Sequence, residues 1–429
     1  AQWKETIVEH TSLSPDVIGE YHGGKKEIRP VTIATYQTAG MDRHRHLFDD
    51  RKWGLIVYDE CLTGETTVET PARKTTFSQL DERYEFEQGW NDGIDEQVRT
   101  HDPGGGSEWT EVTGVYKNEA PVQRIETNTG HVLRATPSHT HLVFDPESCE
   151  IQEQRGVSEG EFLVMPLPEP DETARESDGA ASAELLGWFI GDGHMNEYDD
   201  VKFSFARRAD EQIRILEILC ERLETDYSTF ENERGDRTLW APKLREPLGW
   251  SGQHGDKTTT VSVPDEGFGW SDSDIGALLR GLFDAEGSVD SKGRIQFNTT
   301  SEALANDVGL LLRRLGILSR SFSIEREADQ HNTVHRITIP THYNDQFTTY
   351  VGFRLEHKSS RVEAGHSPAT GIPAGQYLET VKIDTGLTNE QLGEMAGIAK
   401  GTVGDTIRGA YQLGQPRLDT LAEGLNAAG

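Results

Sequence analysis

Apolar positions in the middle of the chain recur at helical spacing in two stretches that echo one another. The first is Leu185-Leu186-Gly187-Trp188-Phe189-Ile190-Gly191-Asp192-Gly193, apolar almost throughout, as in a helix buried on most sides. The second, Leu279-Arg280-Gly281-Leu282-Phe283-Asp284-Ala285-Glu286-Gly287, has glycine at the same third position and the same acid-glycine ending. Asp192 and Glu286 lie 94 positions apart. Each stretch is followed by a strand-like run, Val201 to Phe205 in one case and Arg294 to Phe297 in the other. A helical run comes next, carried by Ile213, Ile215, Leu216, Ile218 and Leu219, or by Leu304, Val308, Leu311, Leu312 and Leu315. Repetition of helix, strand, helix, strand predicts a pseudo-two-fold domain. Gly187 and Gly281 would let the two helices approach closely. Asp192 and Glu286 would then end side by side, two carboxylates placed as a divalent cation needs them.

The pattern changes on either side of this repeat. Residues 110–116 and 122–127 alternate in polarity like half-buried strands, with Asn128-Thr129-Gly130 as a hairpin turn. Residues 160–166 read as one more strand, and 167–183, rich in proline, acids and small residues, as a linker. Further upstream, Val31 to Gln37 reads as a strand and a polar turn, and Trp53-Gly54-Leu55-Ile56-Val57-Tyr58-Asp59-Glu60 as a buried parallel strand ending in two acids. Near the other end, Leu392, Met395 and Ile398 keep helical spacing, Gly397 marks a turn, and Val403 and Ile407 open the face of a second helix starting near Lys400.

Composition narrows the class. Among 429 residues the formal net charge is -31, yet apolar periodicity persists between the acids, so the charge belongs to folded surfaces. Such acidity suits a protein of a salt-loving archaeon. It weighs little against nucleic-acid binding, because counterion release contributes little at molar salt. Three scattered cysteines, Cys61, Cys149 and Cys220, make neither a disulfide framework nor a zinc module. They point to a reducing, cytoplasmic setting. No apolar run is long enough to span a bilayer.

The paired motifs resemble the LAGLIDADG, or DOD-type, homing endonucleases. That resemblance implies Mg²⁺ held by Asp192 and Glu286, double-stranded DNA as partner, a monomer, and hydrolysis of one phosphodiester in each strand. Lys257, with Lys358 as a second candidate, would be the added basic residue. Arg207, Arg208, Arg313 and Arg314 are candidate phosphate contacts by charge. Asp59-Glu60 resembles a Walker B motif, with Asp59 on Mg²⁺ and Glu60 orienting water. Together with Gln2-Trp3 and residues 19–26 it makes residues 1–60 similar to a superfamily 2 helicase of the XPB type.

Cys61-Leu62-Thr63-Gly64 resembles the opening of an intein, with Cys61 as nucleophile on the Glu60 carbonyl. Thr136-Pro137-Ser138-His139 matches that family's Thr-x-x-His block. The match implies that Thr136 and His139 polarise the Glu60–Cys61 bond, with His139 as proton donor. The closing Leu425-Asn426-Ala427-Ala428-Gly429 lacks the family's His-Asn and following nucleophile, so complete splicing is not expected and truncation at both ends is. Residues 387–409 resemble a helix-turn-helix with Lys400, Thr402, Asp405, Thr406 and Arg408 as readers.

The expected fold is multidomain α+β. It comprises a partial helicase segment at 1–60, the β-rich N-terminal half of a Hint splicing domain at 61–166, and a linker at 167–183. A pseudo-two-fold αββαββα LAGLIDADG nuclease follows at 184–362, then a helix-turn-helix module at 380–429. The leading function is an intein-encoded, site-specific homing endonuclease acting on the intein-less helicase gene. The alternatives are an ATP-dependent helicase fragment and a non-catalytic DNA-binding regulator.

Overall fold

The computed structural model describes residues 4, 7–8, 11–22, 24–34, 61–101, 107–146, 148, 150–170, 179–206, 209–248, 259–325, 333–362 and 371–428. Near the N-terminus, β1 (Ile18–His22) lies between β2 (Lys25–Lys26), antiparallel to it, and β3 (Val31–Ala34), parallel to it.

The described residues of 61–163 build a set of small antiparallel sheets around one short helix. β4 (Thr67–Glu69) pairs with β5 (Lys74–Thr76), which runs straight into α1 (Phe77–Tyr84). Thr76 and Gln79 form a capping box that fixes this helix start. β6 (Gly89–Asn91) pairs with β9 (Val115–Lys117), and β7 (Gln97–His101) with β8 (Ser107–Glu111). The strand expected over 110–116 is thus two strands. The break falls at Gly114, where a Cβ would sit 2.2 Å from the Trp90 ring. β10 (Gln123–Glu126) and β11 (Val132–Ala135) form the expected hairpin, with Gly130 at φ 85° in its turn. β12 (Thr140–Asp145) lies between β13 (Glu150–Arg155) and β14 (Phe162–Leu163).

The central domain holds the main hydrophobic core and repeats one plan twice. The first repeat runs α2 (Ala180–Asp192), β15 (Gly193–Met195), β16 (Val201–Phe205), α3 (Asp210–Arg222), β17 (Ser228–Glu231), β18 (Arg237–Ala241) and α4 (Arg245–Leu248). The second runs α5 (Asp272–Glu286), β19 (Gly287–Val289), β20 (Ile295–Thr299), α6 (Glu302–Arg314), β21 (Arg320–Ile324), β22 (Val334–Ile339) and α7 (Asn344–Tyr350). The sheets are ordered β15-β16-β18-β17 and β19-β20-β22-β21, so each is the same four-stranded meander variant. Even the register matches: Gly193 faces Phe203, and Gly287 faces Phe297. Strand alternation sends Val201, Phe203 and Leu239, or Ile295, Phe297 and Ile337, to the core. Lys202, Ser204 and Trp240 lie on the opposite, exposed face. α2 starts four residues before the expected domain boundary at 184, inside the stretch read as linker.

The C-terminal module is four helices: α9 (Gly375–Thr385), α10 (Asn389–Ala396), α11 (Lys400–Ile407) and α12 (Gln415–Ala428). They enclose a separate small core of Leu378, Leu392, Ala396, Val403, Leu413 and Leu421. Among the described residues no helix is long and apolar enough to cross a membrane.

Candidate functional site

α2 and α5 meet backbone to backbone. A Cβ on Gly187 would lie 2.2 Å from the Leu278 carbonyl oxygen, and one on Gly281 would lie 2.1 Å from the Glu184 carbonyl oxygen. Nothing larger than glycine fits at either position. The contact then continues to the ends of the helices: a Cβ on Gly191 would lie 2.5 Å from Ala285 Cβ and 3.3 Å from Glu286 Cγ. Glu286 therefore rests against the last turn of α2, one residue from Asp192. Both acids close their helices, and both are exposed.

The glycines after the acids are not left-handed caps. Gly193 and Gly287 are extended, at φ -82° and -74°. They are glycine because the chain turns back over a phenylalanine: a Cβ would stand 2.5 Å from Phe189 Cδ2 in one repeat and 2.5 Å from the Phe283 oxygen in the other.

Beneath the acids lies a cluster around Lys358, the second candidate for the added basic residue, whose other members, Asp284, Glu184 and Arg354, no sequence pattern had singled out. Lys358, on α8 (Glu356–Ser359), donates to the carbonyls of Phe283 at 3.0 Å and Asp284 at 2.6 Å. Burial pushes its amine below the ordinary lysine value, while the charges of Asp284, Asp192 and Glu286 pull it back up. Asp284 is buried and accepts the backbone N–H groups of Arg354 at 3.0 Å and Leu355 at 3.2 Å. Burial still pushes its carboxyl up to about 6. Glu184, 1% exposed, is held by Arg280 Nη1 at 3.1 Å and by the Arg354 guanidinium, Nη2 at 2.8 Å. One signal was available: Asp284 is an acid inside an apolar motif, where the first copy has Ile190.

Lys257, Arg207 and Arg208 lie outside the described residues, as do Asp59 and Glu60. Two expected phosphate contacts need correction. Arg314 points inward, bound to Asp272 at 3.0 Å and to the carbonyls of Phe268 and Trp270. Its guanidinium caps the loop before α5. Arg313 is half-buried, with Glu69 of the N-terminal module beside it.

At the other predicted centre, β11 brings Thr136 to Cys61. The Cys61 N–H donates to Thr136 Oγ1 at 3.1 Å, and the Thr136 N–H donates to the Cys61 carbonyl at 2.9 Å. Leu62 bridges Ala135 and extends the pairing. The His139 N–H returns to the Thr136 carbonyl at 3.0 Å, and its ring meets that of His141 edge-on, centroids 4.9 Å apart. Thr136 and His141 are buried, and Cys61 is half-buried. The amide nitrogen that Thr136 contacts is the nitrogen of the Glu60–Cys61 peptide bond.

In the C-terminal module, Thr388 and Gln391 box the start of α10, and Gly397 ends it at φ 63°. Lys400 and Arg408 are exposed and Thr402 is half-buried. Asp405 pairs with Arg408. Thr406 is a correction: it is 0% exposed, and its hydroxyl donates to the Thr402 carbonyl at 2.8 Å, so it packs the module rather than facing a ligand.

Residues 273–352, which comprise most of the second repeat, match the model of the LAGLIDADG-like domain. This chain carries a LAGLIDADG-like domain. A DNA 3'-5' helicase Rad25 of Halobacterium salinarum is 76% identical over 59 residues, 14% of this chain and 10% of that protein. The chain thus spans about a tenth of that relative's length. A replication factor C small subunit of Thermococcus kodakarensis is 29% identical over 318 residues, 70% of this chain and 34% of that one. Among solved structures, the homing endonuclease I-DmoI in complex with DNA and Mn is similar over 41% of this chain and 98% of its own, at 15% identity and a TM-score of 0.30. The N-terminal segment is similar to Rad25/XPB-type helicase sequence, and the combination fits a LAGLIDADG-containing, intein-like insertion in a helicase.

Proposed function

We propose that this chain is an intein-embedded homing endonuclease of the DOD type, cutting both strands of the helicase gene that lacks the insertion. The observation that carries this reading is the pair of exposed acids at the twin ends of α2 and α5, forced together by Gly187, Gly191 and Gly281. A divalent metal fits there by donor chemistry, and we name Mg²⁺. Two hard carboxylate oxygen donors are accessible there. Water and DNA phosphate oxygens would complete the shell. Bound there, such an ion would supply Lewis-acid charge stabilisation and a lowered water pKa.

Asp192 and Glu286 hold one end of the scissile region each, and the sheet faces carry the duplex. Water attacks phosphorus, the bond from phosphorus to the 3′ oxygen breaks, and that oxygen leaves with a proton as a 3′ hydroxyl. The other product is a 5′ phosphate. Lys358 places a positive charge under both acids. Lys400, Thr402 and Arg408 of the C-terminal module add DNA contacts. The enzyme works as a monomer in the cytoplasm of a halophile.

Cys61 carries a second activity. Its Sγ attacks the Glu60 carbonyl carbon as the thiol gives up its proton, the C–N bond of that peptide breaks, and the released Cys61 nitrogen gains a proton from His139, which is restored by the proton the thiol lost. Thr136 is placed on that nitrogen already. The long similarity to a replication protein, against a short one to helicases, supports a segment that inserts into unrelated hosts.

Two experiments test these readings. A plasmid carrying the joined helicase gene, incubated in concentrated KCl with Mg²⁺, should be linearised; an intact plasmid at every salt and metal tested rejects the nuclease. Hydroxylamine should cleave the purified chain at Glu60–Cys61, and equal cleavage in Cys61→Ala rejects the thioester.

A further inference from the structure

Segment 353–359 returns to the motif helices from outside the repeat and is tied to both of them. Asp284 of α5 accepts two consecutive backbone N–H groups, those of Arg354 and Leu355. Glu184 of α2 takes the Arg354 side chain. Four residues after Arg354, the Lys358 amine ends on the last carbonyls of α5, next to Glu286. Phe353 packs on Phe283 and Phe347, closing the strap's apolar side. We propose that Asp284 and Glu184 are positioning residues: they strap residues 353–359 across the ends of α2 and α5, so that Lys358 serves the carboxylate pair from the second repeat's side.

The anchoring is one-sided by sequence. In the motif alignment Asp284 matches Ile190, and Glu184 matches Leu278. Neither aliphatic side chain can accept an N–H group. No segment on the first repeat's side can be held by the same bonds. A buried carboxylate that satisfies two amides fixes its partners in register, because losing it strands both donors. The strap therefore makes the two half-sites inequivalent, and the strand served from the second repeat depends on it more.

The strand-resolved consequence rests on the nuclease reading above; the cation consequence does not. The probe for the latter is Mn²⁺ alone, titrated into the full chain without DNA. Lys358→Met removes a positive charge beside the acids and should tighten Mn²⁺ binding by about 3- to 10-fold. Asp284→Asn removes a negative charge as well as the strap's anchor, so alone it should shift Mn²⁺ affinity less than Lys358→Met does, and on the Lys358→Met background, where no amine is left to place, it should only weaken binding. Arg354→Gln, which leaves Glu184 its bond to Arg280, gives a second route should Asp284→Asn fail to fold.

On end-labelled duplex, loosening the strap should slow one strand at least 10-fold more than the other, with nicked circles accumulating. Equal slowing of both strands overturns the one-sided strap. So does an additive double variant, or Mn²⁺ affinity indifferent to both Asp284→Asn and Arg354→Gln. A chain that leaves all DNA intact but shows the non-additive Mn²⁺ response loses the nuclease reading and keeps the strap.

Discussion

The two repeats of the central domain share a plan down to strand register, yet they differ in what leans on them. The N-terminal module docks on the second repeat. Lys74 of β5 pairs with Asp307 of α6, 3% exposed, and lies over the Phe268 ring at 4.8 Å. The Ser321 N–H of edge strand β21 donates to the Thr129 carbonyl at 2.8 Å, so the β10–β11 hairpin covers a sheet edge that would otherwise be an open template. Arg320 adds a bond to the Asn128 carbonyl. The linker residue Pro168 reaches Gly316, and Gly414 of the C-terminal module packs on His342. The strap at 353–359 leaves the second repeat but spans both, held by Asp284 of α5, by Glu184 of α2 and, through the Glu356 N–H at 2.9 Å, by Glu211 of α3. Pseudo-symmetry in the core thus coexists with an asymmetric periphery: one repeat is the hub for its neighbours, and the shared element is the α2–α5 contact.

The largest effect should come from that shared contact. Gly281→Val places a methyl-bearing carbon on the Glu184 carbonyl, and no side chain can move aside for it. A loss above ~4 kcal/mol and collapse of both repeats at once are expected in thermal unfolding. A shift of only a degree or two would mean the helices are not locked.

Next, Phe203→Ala and Phe297→Ala remove matched, fully buried rings, one from each repeat. Each should cost about 3–5 kcal/mol. Hydrogen exchange at the Ser321 amide should accelerate beyond the global effect only in Phe297→Ala. Equal exchange in both would dissolve the distinction between hub and partner repeat.

Lys74→Met leaves the Asp307 carboxylate buried without its cation, at a cost of about 3 kcal/mol. Adding Asp307→Asn should recover part of it, since the amide oxygen can still accept the buried Val263 N–H. Failure to recover would place the coupling elsewhere.

Asp284 gives a pH signature of order 1–3 kcal/mol. Its folded carboxyl is raised from 3.8 to about 6 by burial, so the folded state holds the proton more tightly than the unfolded chain. That contribution is fully present below pH 4 and is lost as pH rises through 6. Denaturant titrations of wild type against Asp284→Asn should converge on this window, and a difference independent of pH would remove the assignment.

The smallest test is chemical. Burial pushes the Cys220 thiol up to about 11, so iodoacetamide at pH 8 should spare it in the folded chain and label Cys61, which is half-buried. Labelling of Cys220 at the rate of Cys61 would show that the first repeat opens readily.

The sequence exposed what repeats and what is local. Glycine at the third position of both motifs announces the close helix contact. The Thr-x-x-His block announced the Thr136–Cys61 approach. What it hid was long-range or directional. The Arg354–Glu184 tie joins residues 170 apart, and no local pattern encodes it. Thr406 and Arg314 looked available because polar residues on helices usually face water. Thr406 instead folds its hydroxyl back onto the helix, and Arg314 caps backbone carbonyls from inside. The linker's last residues joined α2 because Ala180, Ala181 and Ala183 favour helix and pack on the core, which outweighs the polar composition around them.

The central claim, that two acids from two unequal repeats together make the double-strand cut, is tested most directly by cleavage of the joined helicase gene with Asp192→Asn and Glu286→Gln taken singly. The account predicts that wild type linearises the plasmid and that each substitution abolishes linearisation. Full linearisation by either variant would contradict it.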